Sequence, residues 1–191
     1  MQTALLALAA FAVGSIPTGI IVARARGVDL RKVGSGNIGA TNVGRALGKN
    51  WAILVLLADA LKGYAPAALG QRLLPPVGVA AVALAAVLGH MFSVFLKGRG
   101  GKGVATSLGA ALALAPVAAL ASAGVYLGLY AAFRISSVGS LVAVSAFPLA
   151  LYLSGDREHA HYLFAATIAV LVIARHKENL KRLARGQELK S

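Results

Sequence analysis

Two glycine-rich, cationic segments hold most of the residues in this chain whose types and spacing could do chemistry. The first is Gly34-Ser35-Gly36-Asn37-Ile38-Gly39-Ala40-Thr41-Asn42-Val43-Gly44-Arg45, set in a sequence otherwise dominated by Ala, Leu and Val. Glycines let a backbone turn sharply and approach a ligand. Successive N–H groups in such a turn form a concavity for an anion, and Arg45 can grip two oxygens of one phosphate. The segment therefore reads as a phosphate-binding loop, against the plainer reading of a glycine-rich connector between helices. The second, Gly98-Arg99-Gly100-Gly101-Lys102-Gly103, stands just before a helix expected to begin near Val104. Helix-end N–H groups, the positive helix terminus and two cationic side chains would meet there. Ser136 and Ser137 follow Arg134, either as helix caps or as hydroxyl donors to a substrate oxygen. His176 and Asn179 are three apart and share one helical face.

Several familiar chemistries are excluded. Gly34-x-Gly36-x-x-Gly39 matches the dinucleotide fingerprint in letters, but that motif needs a strand before it and a βαβ unit around it. Here an apolar run and an Arg-rich loop precede it. Gly98–Gly103 lacks the spacing of a Walker loop and the Ser/Thr after its lysine. With no cysteine, thiolate nucleophiles and Cys-ligated metals are ruled out. His90 reads as a hydrogen-bonded core residue, and His159 and His161 as loop residues. No spacing assembles a metal site, and neither metal nor cofactor is expected.

The elements that must position these residues are apolar. Of 191 residues, 58% are hydrophobic and 13% charged, and the mean hydropathy is +0.76. Soluble domains are nearer 45–50% apolar, so an integral membrane protein is expected, as one domain over residues 1–191. The net charge of +13 raises the question of nucleic acid. The basic residues, however, lie in short clusters between long apolar runs, the pattern of membrane orientation and of an anionic substrate. No nucleic-acid partner is expected.

The apolar runs are Thr3–Ala23, Trp51–Gly70, Leu73–Leu96, Val104–Phe133, Val138–Leu153 and His161–Ala174. The first has its positive charges after it rather than before, so it reads as a retained span and not a signal peptide. The basic clusters between the runs belong on the cytoplasmic side. Thirty residues, Val104 to Phe133, would make one helix roughly 45 Å long against a hydrocarbon core of about 30 Å, and would put Arg134 on the wrong side. Two short spans broken near Ala115-Pro116 resolve both conflicts. The expected architecture is all-α with seven transmembrane helices, amino terminus outside, carboxyl terminus cytoplasmic, and spans 4 and 5 short. Asp59 and Lys62, three apart in the second span, read as a structural ion pair.

In this order the motifs resemble those of the bacterial acyl-phosphate:glycerol-3-phosphate acyltransferases, the PlsY family. The matching residues are Gly14-Ser15-Ile16-Pro17, Gly34 to Asn42 with Arg45, Asp59-x-x-Lys62-Gly63, Gly89-His90-Met91-Phe92, Gly100 to Thr106, Ser136-Ser137, and His176-Lys177-Glu178-Asn179 with Arg182. Ser93 departs from a common proline and Gly98 from a common aromatic residue.

The resemblance implies a multi-pass enzyme of the cell (inner) membrane with its site on the cytoplasmic face. It would transfer a fatty acyl group from acyl phosphate to the 1-hydroxyl of glycerol 3-phosphate, releasing lysophosphatidic acid and phosphate, the first step of phospholipid synthesis. Membrane lipid and the enzyme that makes acyl phosphate are the implied partners. Lys102, Arg45, Ser136, His176 and Asn179 would carry catalysis, with Ser35, Asn37, Thr41, Asn42, Gly101, Gly103 and Ser137 binding substrate. A mixed anhydride needs no acyl-enzyme, so direct attack is expected, with His176 or a substrate phosphate oxygen as base. A small organic-phosphate transporter is the rival reading. Such proteins bind substrate near the midplane between repeats, and no repeat is evident here.

Overall fold

Apolar runs of this length leave the backbone no partner but itself, so they become helices. The computed structural model describes residues 1–190, and among these it contains helices and turns without strands. The helices are α1 (Gln2–Ser15), α2 (Thr18–Ala25), α3 (Ala40–Leu47), α4 (Lys49–Gln71), α5 (Pro76–Met91), α6 (Val104–Leu114), α7 (Pro116–Phe133), α8 (Ser136–Leu153), α9 (His159–Arg175) and α10 (Lys177–Ala184). Five stretches are long and apolar enough to cross a membrane: Gln2–Ala25, Lys49–Gln71, Pro76–Leu96, Pro116–Phe133 and Ser136–Leu153. Val104–Leu114 and His159–Arg175 are shorter apolar helices.

Each expected run is present, with two corrections. The first is broken at Ile16-Pro17, because a proline has no N–H to continue the helix before it. The thirty-residue run does break at Ala115, but unequally. Only α6, with 11 residues, is short, about 16 Å. With 18 residues, α7 reaches about 27 Å, so of the two helices expected to be short only the first is.

Small residues set the closest helix crossings. On Gly14 a Cβ would stand 2.1 Å from the Ala86 carbonyl oxygen, and on Gly89 2.1 Å from that of Phe11, so α1 and α5 touch backbone to backbone. Gly63 and Gly109 join α4 and α6 in the same way, against Thr106 and Ala60. Without a hydrophobic drive between helices in lipid, such close approach supplies the packing energy. The main core lies among α5, α6 and α9, around Val87, Met91, Ala110, Leu114, Phe164 and Val172. Leu57, Leu61, Leu120, Leu127, Leu153, Leu163 and Val170 face outward, 61–73% exposed. That outward apolar surface suits a lipid solvent.

Asp59 and Lys62 form a buried pair at 2.8 Å. Lys62 Nζ also donates to the Ile16 carbonyl at 2.9 Å, and the Thr18 hydroxyl donates to Asp59. The pair thus fastens α4 to the break between α1 and α2. Nearby, Ser93 donates to the Ser15 carbonyl at 2.5 Å. His90 corrects its expectation: it is buried, but its Nδ1 has no hydrogen-bond partner, and the nearest Asp59 oxygen is 3.7 Å away.

Candidate active site

Hydrogen bonds from Arg31 to Arg99 and from Arg175 to Gly100 and Gly101 draw the polar connections together around a cleft of about 210 Å³. Four cations line it, Arg31, Lys102, Arg175 and Arg182, together with Ser35, Asn37, Glu178 and Asn179.

The first loop is shaped by Asn42. Its buried amide donates to the carbonyls of Leu30 (3.2 Å), Val33 (3.0 Å) and Asn37 (2.9 Å), and its Oδ1 accepts from the Ser35 N–H at 3.0 Å. Gly34 packs against that Oδ1 at φ +55°, leaving no room for a Cβ. Asn42 is therefore committed to the loop backbone, and it is Ser35 and Asn37 that reach the cleft.

The second loop departs from its expectation in an informative way. The N–H groups of Gly100 and Gly101 are not offered to a ligand; they donate to the carbonyls of Met91 (3.1 Å) and His90 (3.0 Å). On Gly100 a Cβ would stand 2.0 Å from the His90 carbonyl oxygen, and on Gly101 2.2 Å from the His90 ring. Gly101, expected as a substrate ligand, is instead a close-packing residue pressed onto the end of α5. Gly103 precedes α6 at φ +83° with no side-chain cap, so the first-turn amides of α6 remain the helix-end donors of this loop.

The two serines divide their roles. Ser136 Oγ lies 3.0 Å from Thr41 Oγ1 and 3.0 Å from the Tyr126 hydroxyl, joining α3, α7 and α8. Neither hydroxyl caps α8. Ser137 Oγ donates to Glu188 Oε1 at 2.9 Å. The same carboxylate accepts from Asn179 Nδ2 at 2.6 Å and Arg182 Nε at 2.7 Å. Arg45 donates to the carbonyls of Leu189 (3.0 Å) and Lys190 (3.3 Å). Ser137, rather than Ser136, is the hydroxyl that meets an anion.

His176 is buried, with Nδ1 2.8 Å from the Val172 carbonyl. A carbonyl can only accept, so Nδ1 carries the proton and Nε2 keeps its lone pair. Burial first, then the Lys102 charge, pushes this imidazole down to about 4, against the Val172 bond and Glu188. Burial also pushes the Lys102 ammonium down to about 8; Glu188 opposes this, while Arg182, Arg45 and Arg175 add to it. Burial alone would raise the Glu188 carboxyl, but hydrogen bonds from Arg182, Asn179 and Ser137 outweigh it and hold the group below its usual value.

The structure thus brings Ser35, Asn37, Lys102 and Asn179 to one cleft. Ser137 is joined to it through Glu188, and Arg45 is bound to the neighbouring Leu189 and Lys190 carbonyls. His176 is buried against Val172 and is not among the lining residues. Thr41 and Ser136 stand behind it as a hydroxyl pair. Sequence reasoning missed Arg31, Arg175 and Glu188. Arg175 carries the signal of directly preceding His176, whereas Glu188, an acid in a basic tail, carries none.

A helical bundle with outward apolar surface, ending in a cleft lined by four cations, defines a membrane-type protein with a cationic site. The glycerol-3-phosphate acyltransferase family matches residues 4–186, and the chain belongs to it. Among its relatives, the glycerol-3-phosphate acyltransferase of Geobacter sulfurreducens is 46% identical over 96% of this chain and 95% of its own. That of Myxococcus xanthus is 48% identical over 98% of each. The crystal structure of PlsY, an integral membrane glycerol 3-phosphate acyltransferase in its glycerol 3-phosphate form, superposes with a TM-score of 0.95 at 41% identity. The match covers all of this chain and 96% of that one. The lysophosphatidic acid form of PlsY superposes with a TM-score of 0.93 at 40% identity.

Proposed function

We propose that this protein transfers a fatty acyl group from acyl phosphate to the 1-hydroxyl of sn-glycerol 3-phosphate, releasing lysophosphatidic acid and inorganic phosphate. The observation that carries the reading is the convergence of Arg31, Lys102, Arg175 and Arg182 on one cleft, in a chain of the glycerol-3-phosphate acyltransferase family. Both reactants bear phosphate, and a cleft lined by four cations presents a positive field to more than one such group, whether or not each cation touches it.

The chemistry follows from the groups present. Lys102 and Arg45 neutralise phosphate charge, while Ser137 and Asn179 orient an oxygen. Neutral His176, low in basicity, accepts a hydrogen bond at Nε2 from the adjacent 2-hydroxyl and so orients the attacking 1-hydroxyl, whose own proton is free to leave. The proton passes to a phosphate oxygen, whose second pKa of about 6 suits transfer near neutrality better than an imidazole at about 4. The hydroxyl oxygen forms the new ester bond as the acyl–phosphate C–O bond breaks and phosphate departs with the electron pair. No acyl-enzyme is required; alignment and charge stabilisation supply the rate.

All five long apolar stretches and the two shorter helices cross the inner membrane in this reading, with the amino terminus outside and the cleft cytoplasmic. The basic clusters at the cleft end support that orientation. Acyl phosphate, a lipid-like anhydride, comes from the enzyme that makes it, and its chain lies among the apolar helices.

Purified protein incubated with acyl phosphate and glycerol 3-phosphate is expected to form lysophosphatidic acid. Activity only with acyl-CoA or acyl carrier protein would overturn the donor. Uptake of glycerol 3-phosphate into vesicles without acylation would indicate transport instead.

A further inference from the structure

The glycine loop that bears Lys102 is held along both of its edges. Its N–H edge is bound to the end of α5, through Gly100 to Met91 and Gly101 to His90. Its C=O edge is bound to the end of α9. Arg175 Nη2 donates to the Gly100 carbonyl at 2.9 Å, and Nε to the Gly101 carbonyl at 3.1 Å. The same guanidinium lies over the Phe92 ring, 5.5 Å from its centroid. From the other side, Arg31 donates to the Arg99 carbonyl. Three consecutive carbonyl oxygens of a loop beside an anion site are therefore each engaged by a cation.

We propose that Arg175 is a positioning residue: by gripping two successive carbonyls of the glycine loop, it sets where Lys102 stands relative to Asn179 across the phosphate cleft. The assignment rests on the reading of that cleft as the substrate site.

Two physical points carry it. A carbonyl oxygen facing a phosphate repels it, and a guanidinium bound to that oxygen cancels the repulsion. The grip also needs two donors at fixed spacing in one plane, which arginine supplies and lysine does not. Arg175 is the last residue of α9, so the turn that leads into His176 and Asn179 is tied directly to the loop that ends in Lys102. Moving one half of the cleft without the other then requires breaking two charge-assisted hydrogen bonds.

The test compares wild type, Arg175→Lys and Arg175→Ala as full-length protein in detergent. Three quantities are measured: amide hydrogen exchange across residues 98–103, affinity for inorganic phosphate, and the steady-state constants for glycerol 3-phosphate. Both variants are expected to exchange about tenfold or more faster in that loop, with α4 and α8 unchanged. Phosphate affinity and kcat/KM should fall by about tenfold or more, carried mainly by KM, and lysine should fail to restore them. Full recovery with Arg175→Lys would overturn the proposal, since charge alone would then suffice. Lost activity with wild-type exchange in the loop would overturn it too, by making Arg175 a direct substrate ligand. Wild-type constants in Arg175→Ala would do the same. Exchange and phosphate affinity need no turnover, so a wild type that made no lysophosphatidic acid would sink the proposed reaction while leaving this test intact.

Discussion

If the protonated Lys102 ammonium neutralises substrate phosphate, activity must titrate with it. Burial among Arg182, Arg45 and Arg175 holds its pKa at about 8. The charged form predominates below that value and is lost as pH rises through it. The charged fraction is about 0.9 at pH 7, half at pH 8 and about 0.1 at pH 9, so kcat/KM should fall roughly tenfold between pH 7 and pH 9. The assay is the initial rate of lysophosphatidic acid formation at low glycerol 3-phosphate, corrected for spontaneous hydrolysis of acyl phosphate. Bound phosphate raises the ammonium pKa, so the alkaline limb of kcat should lie above that of kcat/KM. In Lys102→Arg the limb should move beyond pH 10, because a guanidinium stays charged there. In Glu188→Gln it should move below 8, because the Glu188 carboxylate favours the charged lysine. A wild-type profile flat to pH 10, or a Lys102→Arg profile that superposes on it, would refute the assignment.

Three further outcomes follow from named contacts. Gly101→Ala would place its methyl 2.2 Å from the His90 ring. Overpacking of this kind costs about 1–3 kcal/mol, and the strain should appear as weaker phosphate binding in a protein that still folds, read by calorimetry beside a melting curve. Asp59→Ala leaves Lys62 buried without its partner and should destabilise the bundle by about 3–5 kcal/mol, while a joint Asp59→Leu, Lys62→Leu change should cost much less; thermal unfolding in detergent compares them. His176→Ala should lower kcat by about tenfold or more while leaving the alkaline limb in place, as expected of a hydrogen-bond acceptor. A vanished acid limb in that variant would restore the histidine as base.

The apolar runs and the break near Ala115-Pro116 were legible in the linear chain, whereas the break at Ile16-Pro17 appeared only in the structure. Length against bilayer thickness, hydropathy and proline are local properties, and the parity of basic clusters needs no side-chain geometry. Residue types likewise suggested an anion site, through Arg45, Lys102 and the glycines around them. Direction of contact was decided only in three dimensions. Gly100 and Gly101 look like ligand-cradling residues in sequence, yet their amides are bound to α5 because another helix end arrives there. Ser136 and Ser137 are adjacent and chemically identical; helix geometry turns one toward Thr41 and Tyr126 and the other toward Glu188. Arg31, Arg175 and Glu188 joined the site through contacts with residues up to 75 positions away. Periodicity and spacing register which residues share a helix face, whereas pairings of that range exist only once the helices have packed.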